Sequence, residues 1–125
     1  MRRTLIPVLG ATAALLALTS CSGGADAYCT TLTDDSATAA VVYTTLIPGM
    51  NTVEEAQARL DLVIAAEEDV PEELAEDLST WKGYLEGAVQ DLDADPNAVF
   101  EEGNSDDVSS AGDALFQHYT GTCMS

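Results

Sequence analysis

Apolar residues at Tyr28, Leu32, Ala39, Val42, Tyr43, Leu46 and Ile47 recur in steps of three and four, with one gap at Ser36, until Pro48-Gly49 stops the run. The spacing predicts a first helix over roughly 27–47. Its Thr and β-branched content lowers its intrinsic propensity, so packing has to supply most of its stability. Thr52-Val53-Glu54-Glu55 then reads as a capping box, the Thr52 hydroxyl accepting from the Glu55 amide and the Glu55 carboxylate returning to the Thr52 amide. The helix it opens carries a stripe of Val53, Ala56, Leu60, Val63 and Ile64. Glu55 and Arg59, one turn apart, are expected to pair on its exposed side.

Pro71 stands where a third helix begins, with Glu72-Glu73 behind it at the positive end of the helix dipole. Leu74, Leu78, Trp81, Leu85, Ala88, Val89 and Leu92 follow at helical spacing. Gly83 and Gly87 interrupt the run on one face, each costing about 1 kcal/mol relative to Ala, which points to a close helix crossing or a loosened last half there. Asp95-Pro96 opens a short helical turn through Phe100 that Gly103-Asn104 closes. Ser105 caps a final helix with Val108, Ala111, Leu115, Phe116, Tyr119 and His118 inward, and Thr120-Gly121-Thr122 ends it before Cys123. With no period-two run of useful length, the expected architecture is all-α, a bundle of four main helices.

Ahead of these elements lies a different pattern. Arg2-Arg3, an apolar run from Leu5 to Leu18 and the small residues Thr19 and Ser20 make residues 1–20 a secretory signal. The run is about 14 residues and is broken by Pro7 and Gly10, where a membrane span needs roughly 20. Arg2-Arg3 also admits twin-arginine export, although Thr4-Leu5-Ile6 after the pair fits an ordinary signal start better.

Leu18-Thr19-Ser20-Cys21 resembles the lipobox of bacterial lipoprotein precursors. The resemblance implies a diacylglycerol thioether on the Cys21 sulfur and cleavage just before it, so that two acyl chains hold the mature chain at the extracytoplasmic face of the cell membrane. The competing reading is an ordinary secretory cleavage site with a free cysteine nearby. On the lipobox reading residues 21–27, with Gly23-Gly24 at their centre, are lipidated cysteine and flexible tether, and residues 28–125 are the helical domain. The odd count of three cysteines becomes an even pair, Cys29 and Cys123, in an oxidising compartment. A disulfide between them would close the bundle from its N-terminal to its C-terminal end over a loop of about 94 positions, at most roughly 4 to 5 kcal/mol in the chain-entropy model. Free thiols, or metal ligation by two distant sulfurs, are the alternatives.

Removing residues 1–20 leaves about 105 residues, enough for one small domain. Twenty-two acidic residues then face only Arg59 and Lys82, so the net charge moves from −18 to −20. Such a surface repels nucleic acid and anionic headgroups and favours cations or basic envelope proteins as partners; its simplest role is to keep the domain soluble.

Two constellations could carry chemistry. In the stretch from Asp91 to Glu102, acidic side chains at Asp91, Asp93, Asp95 and Glu102 occupy positions 1, 3, 5 and 12 of a calcium loop. Pro96 stands where that loop needs the sharp turn of a glycine, which favours a helix end followed by an Asp-Pro cap over a cation site. His118, the only histidine, lies beside Tyr119, and both residue types serve as axial ligands of haem iron. A packing histidine at a helix end is the plainer account. There is no second histidine and no Gly-x-Ser-x-Gly, so no catalytic constellation is found.

The segment VPEELAEDLSTWKGYLEGAVQDLD, residues 70–93, preceded by a capped helix and flanked by early and late cysteines, resembles small secreted helical lipoproteins of actinobacteria. That resemblance implies a short helical domain behind a lipobox and no catalytic residues. The function it leads to is a non-enzymatic interaction or ligand-binding module at the cell envelope, with no cofactor beyond the lipid on Cys21. A carrier of an apolar ligand or haem, with its pocket near Trp81, Tyr84 and Tyr119, and a divalent-cation-binding domain are the alternatives.

Overall fold

The first apolar run does not make one helix. In the computed structural model, which describes residues 27–124, helix α1 covers 27–34 and helix α2 is only Ser36–Ala39. Asp35 separates them: its side chain accepts from the Thr38 N–H at 3.3 Å and caps α2. A short acidic side chain that bonds nearby backbone competes with the helical ladder, which is why Asp favours caps over helix interiors. Residues 40–44 continue as turns and 45–47 carry no regular structure. The expected helix over 27–47 is therefore corrected at its second half.

The reason lies across the interface. The Trp81 indole donates to the Val42 carbonyl at 2.8 Å, the Leu46 N–H donates to the Tyr84 hydroxyl at 2.9 Å, and Arg59 Nη1 donates to the Thr44 carbonyl at 2.9 Å. Buried backbone polar groups must find partners, and here side chains of later helices supply them in place of an i to i−4 ladder. Val42, Tyr43 and Leu46 still reach the core, so the apolar spacing marks burial correctly while the backbone is not helical. Gly49, at φ +91°, then turns the chain, a conformation that L side chains rarely adopt.

From there the elements are regular. Helix α3 is Val53–Glu67, opened by the complete Thr52/Glu55 capping box. A single 3-10 turn, Glu72–Leu74, leads into α4, Ala75–Asp91. Helix α5, Pro96–Gly103, is capped by Asp95 with Pro96 in its first turn, and α6, Asp106–His118, is capped by Ser105. The short turn expected after Asp95 is thus a helix in its own right, and the described chain is all-helical with six helices rather than four. Helix α4 is the centre: α3, α5 and α6 all pack against it. Leu78, Trp81, Leu85, Ala88 and Leu92 are buried as the spacing predicts, and α3 adds Leu62 and Ala66. Ile64 and Phe116, expected inward, are 45% and 43% exposed.

Of the two expected glycines, only Gly87 has a neighbour, Glu102 Oε2 at 3.4 Å from an added Cβ, and the closest approaches fall on other glycines. A Cβ on Gly83 would meet nothing within 4 Å, whereas one on Gly112 of α6 would lie 2.7 Å from Trp81 Cζ3, and one on Gly103 3.0 Å from the Tyr84 hydroxyl. The two large aromatics of α4 pack on each other, with ring centroids 5.0 Å apart, so any helix passing over them needs a residue without a side chain.

The two ends of the described segment are joined. A π-helical turn, Tyr119–Cys123, follows α6 and brings Cys123 to Cys29, the two forming a disulfide with Cα atoms 5.0 Å apart. Beneath it, Tyr28 and Tyr43 share a buried hydroxyl–hydroxyl bond of 2.6 Å, and burial raises the pKa of both. Among the described residues no helix is long and apolar enough to cross a membrane.

Candidate functional site

An open groove lies on each side of the irregular 40–47 segment. One, about 370 Å³, runs between this segment and α6; Trp81 and Gly112 form its floor, and Asn104, Ser109, Asp113 and Phe116 its rim. The other, about 350 Å³, lies between α2 and α3 and is lined by Ala37, Thr38, Val41, Asn51, Glu55, Ala58 and Arg59. Both are of the size that takes a small ligand or one side chain of a partner.

Arg59 is the electrostatic oddity. It is only 6% exposed, the one buried charged residue among those described. The pairing with Glu55 on an outer face is not what forms. Arg59 turns inward, and its Nη1 donates to the Thr44 carbonyl and, at 3.3 Å, to the Thr44 hydroxyl. Desolvation lowers its pKa, opposed by the charge of Glu55 one turn away. Glu55 Oε2 is held by the Asn51 amide at 2.8 Å and the Thr52 N–H, and those bonds, the Asn51 one first, lower its own pKa. Asn51 Oδ1 in turn accepts from the Ile47 N–H at 2.7 Å. The rim of this groove is therefore a fixed polar lattice rather than loose side chains. The other Lys or Arg among the described residues, Lys82, pairs with Glu67 at 3.0 Å.

The four carboxylates of the calcium-loop spacing do not converge. Asp95 is used as the α5 cap, accepting from the Ala98 N–H at 3.3 Å, and Asp93 is exposed. Asp91 and Glu102 do come near one another: the Glu102 carboxylate lies over Gly87, and its pKa is raised by desolvation and then by the charge of Asp91. No group of three or more His, Cys, Asp or Glu that could hold a metal ion occurs among the described residues. The Asp-Pro pair acts as the helix start its chemistry favours.

His118 and Tyr119, adjacent in sequence, sit at the end of α6 beneath the disulfide. The His118 ring meets Tyr28 edge-on with centroids 5.6 Å apart, and its Nδ1 is buried without a hydrogen-bond partner. Tyr119 is packed in the core. Neither lines either of these two grooves. Of Trp81, Tyr84 and Tyr119, all core residues, only Trp81 borders one. Cys21, residues 1–20 and the tether up to residue 26 lie outside the described residues.

Two residues at the grooves escaped the sequence reading although a signal was present. Arg59 is three positions after Ala56 and four before Val63, squarely on the buried stripe of α3, but its charge assigned it to the surface. Gly112 is four after Val108 and three before Leu115, so it too lies on a core stripe.

Comparison with known proteins adds nothing to this geometry: no family model, no curated protein and no solved structure matches the chain.

Proposed function

We propose that this chain is an extracytoplasmic lipoprotein, anchored to the cell membrane through Cys21 and presenting a non-enzymatic ligand-binding or interaction module at the cell envelope. One observation carries the reading: of three cysteines, Cys29 and Cys123 bond each other, and the remaining one stands in Leu18-Thr19-Ser20-Cys21 directly behind a signal-like apolar run. A stable structural disulfide belongs to an oxidising compartment, which supports export, and an odd cysteine in an exported protein calls for its own explanation, which lipidation provides. Two acyl chains hold a protein firmly where one does so only marginally. The acidic surface suits an exposed, soluble module facing cations or basic envelope proteins, and the two grooves give such a module places to bind.

The test is metabolic labelling with an alkyne palmitate in a bacterium that processes lipoproteins, combined with mass spectrometry of the N-terminal peptide. Label on the wild type, none on Cys21→Ser, and release of that variant from the membrane fraction are expected. An unmodified Cys21 in membrane-fraction protein overturns the anchor.

A further inference from the structure

We propose that the groove between α2 and α3 is a carboxylate-binding site, in which the Arg59 guanidinium holds the ligand's carboxylate and Ala37, Val41 and Ala58 receive a short aliphatic body. The site gives a ligand class to the ligand-binding half of the function above and is independent of the anchor.

A guanidinium carries five N–H donors. Among the described residues Arg59 uses one nitrogen, Nη1, on Thr44, and it makes no ion pair. None of its nitrogens is both sealed from solvent and without a partner, and the residue borders the α2–α3 groove, which is where a ligand could meet its unused donors. Arg59 is a buried residue whose only hydrogen-bond acceptors are the neutral oxygens of Thr44, and desolvation lowers its pKa, so its charge is incompletely compensated. The neighbouring carboxylate does not fill that role. Glu55 is committed to Asn51 and Thr52 and stays beyond ion-pair distance of Arg59.

What fits is a planar anion that accepts two parallel N–H bonds, the recognition at which Arg exceeds Lys. Charge selects the carboxylate over the phosphate: a dianion would have to sit beside Glu55 on a chain of 22 acidic residues, a monoanion meets half that repulsion. The field of the remaining surface is screened beyond a Debye length of roughly 8 Å, whereas the contact pair in a partly desolvated groove is not. Val41, 40% exposed with no partner over it, supplies the apolar wall for the ligand's body. A free short-chain acid and the C-terminus of a peptide share this chemistry.

The full chain, purified in a non-ionic detergent, is titrated with butanoate, with acetyl-Ala-Val and with the amide of each, while the backbone amide signals of Ala37, Thr38 and Ala58 are followed by NMR. Saturable shifts complete by about 10 mM are expected for an acid and at least about ten-fold weaker ones for its amide. Because Arg59 also holds Thr44, Arg59→Gln is paired with Ala58→Leu, which fills the groove from an exposed position and leaves the Thr44 bonds in place. Both should weaken binding at least about ten-fold, the second without lowering the melting temperature. Response to the dipeptide alone assigns a peptide C-terminus; response to butanoate, with or without the dipeptide, assigns a small free acid. Equal binding of acid and amide, no saturation with either acid, or full binding by Ala58→Leu overturns the site. Any of these with Cys21 labelling intact leaves the anchor standing.

Discussion

Residues 40–47 and helix α4 face each other across the core, and each buries an apolar face, but they satisfy their backbones in different ways. Helix α4 closes its own hydrogen bonds and needs its neighbours only for packing. The 40–47 segment has Val42, Thr44 and Leu46 held by Trp81, Arg59 and Tyr84, residues 15 to 39 positions further along the chain. A self-sufficient helix makes the scaffold, and the segment that borrows partners borders the grooves. It follows that the stability of the 40–47 segment is decided by side chains of other elements, and that it can be loosened selectively.

Trp81→Ala gives the largest effect. It empties a fully buried site and strips the Val42 carbonyl of its donor, so a loss of about 3–5 kcal/mol in urea unfolding is expected, with hydrogen-exchange protection falling first in residues 40–47. Equal loss along α4 would break the distinction between the two regions. Replacing Cys29 and Cys123 together by Ser should cost about 2–5 kcal/mol. Because the cross-link acts chiefly on the unfolded chain, this change should lower protection in both regions alike, the opposite signature to that of Trp81→Ala.

Gly112→Ala tests the aromatic floor of the α6-side groove. Its Cβ would stand 2.7 Å from Trp81, a ring bonded to Val42 and unable to retreat, so a cost of about 1–3 kcal/mol is expected. The matched control, Gly83→Ala, meets nothing within 4 Å and should stabilise by about 0.5–1 kcal/mol. Tyr84→Phe leaves the Leu46 N–H buried without its acceptor; about 1–2 kcal/mol and faster exchange of that one amide are expected, with α4 unchanged.

The smallest effect is in pH. The folded pKa of Glu102 is raised above its ordinary 4.5, so in that window the folded state holds more proton than the unfolded one. Stability therefore declines as pH rises from about 4.5 through the folded pKa. Glu102→Gln should flatten that part of the stability–pH curve, and an unchanged slope in denaturant titrations would show that the folded state does not raise the Glu102 pKa.

The helices with explicit local signals were legible in the sequence. Thr52 and Glu55 cap α3, Asp95-Pro96 starts α5 and Ser105 starts α6, because a cap is a bond between residues three apart and needs nothing distant. The core face of α4 was legible for the same reason, since burial at a period of 3.6 is a property of one helix. Cysteine arithmetic also named the pair that bonds, because three thiols leave few choices once one is assigned elsewhere.

Three things depended on tertiary structure. Residues 40–47 carry helical spacing and still lose their helix, because whether a carbonyl bonds its own chain or a distant indole is a competition that local sequence does not contain. Arg59 lies inside because Thr44 offers it acceptors there, and Gly112 rather than Gly83 is the close approach because Trp81 and not open space faces it. The sequence by itself determined most of the core face of α4 and the capped starts of α3, α5 and α6, both short-range matters of pattern and capping. Only the folded chain decided which distant groups complete each other's hydrogen bonds, and with that where the two grooves and the buried charge of Arg59 would lie.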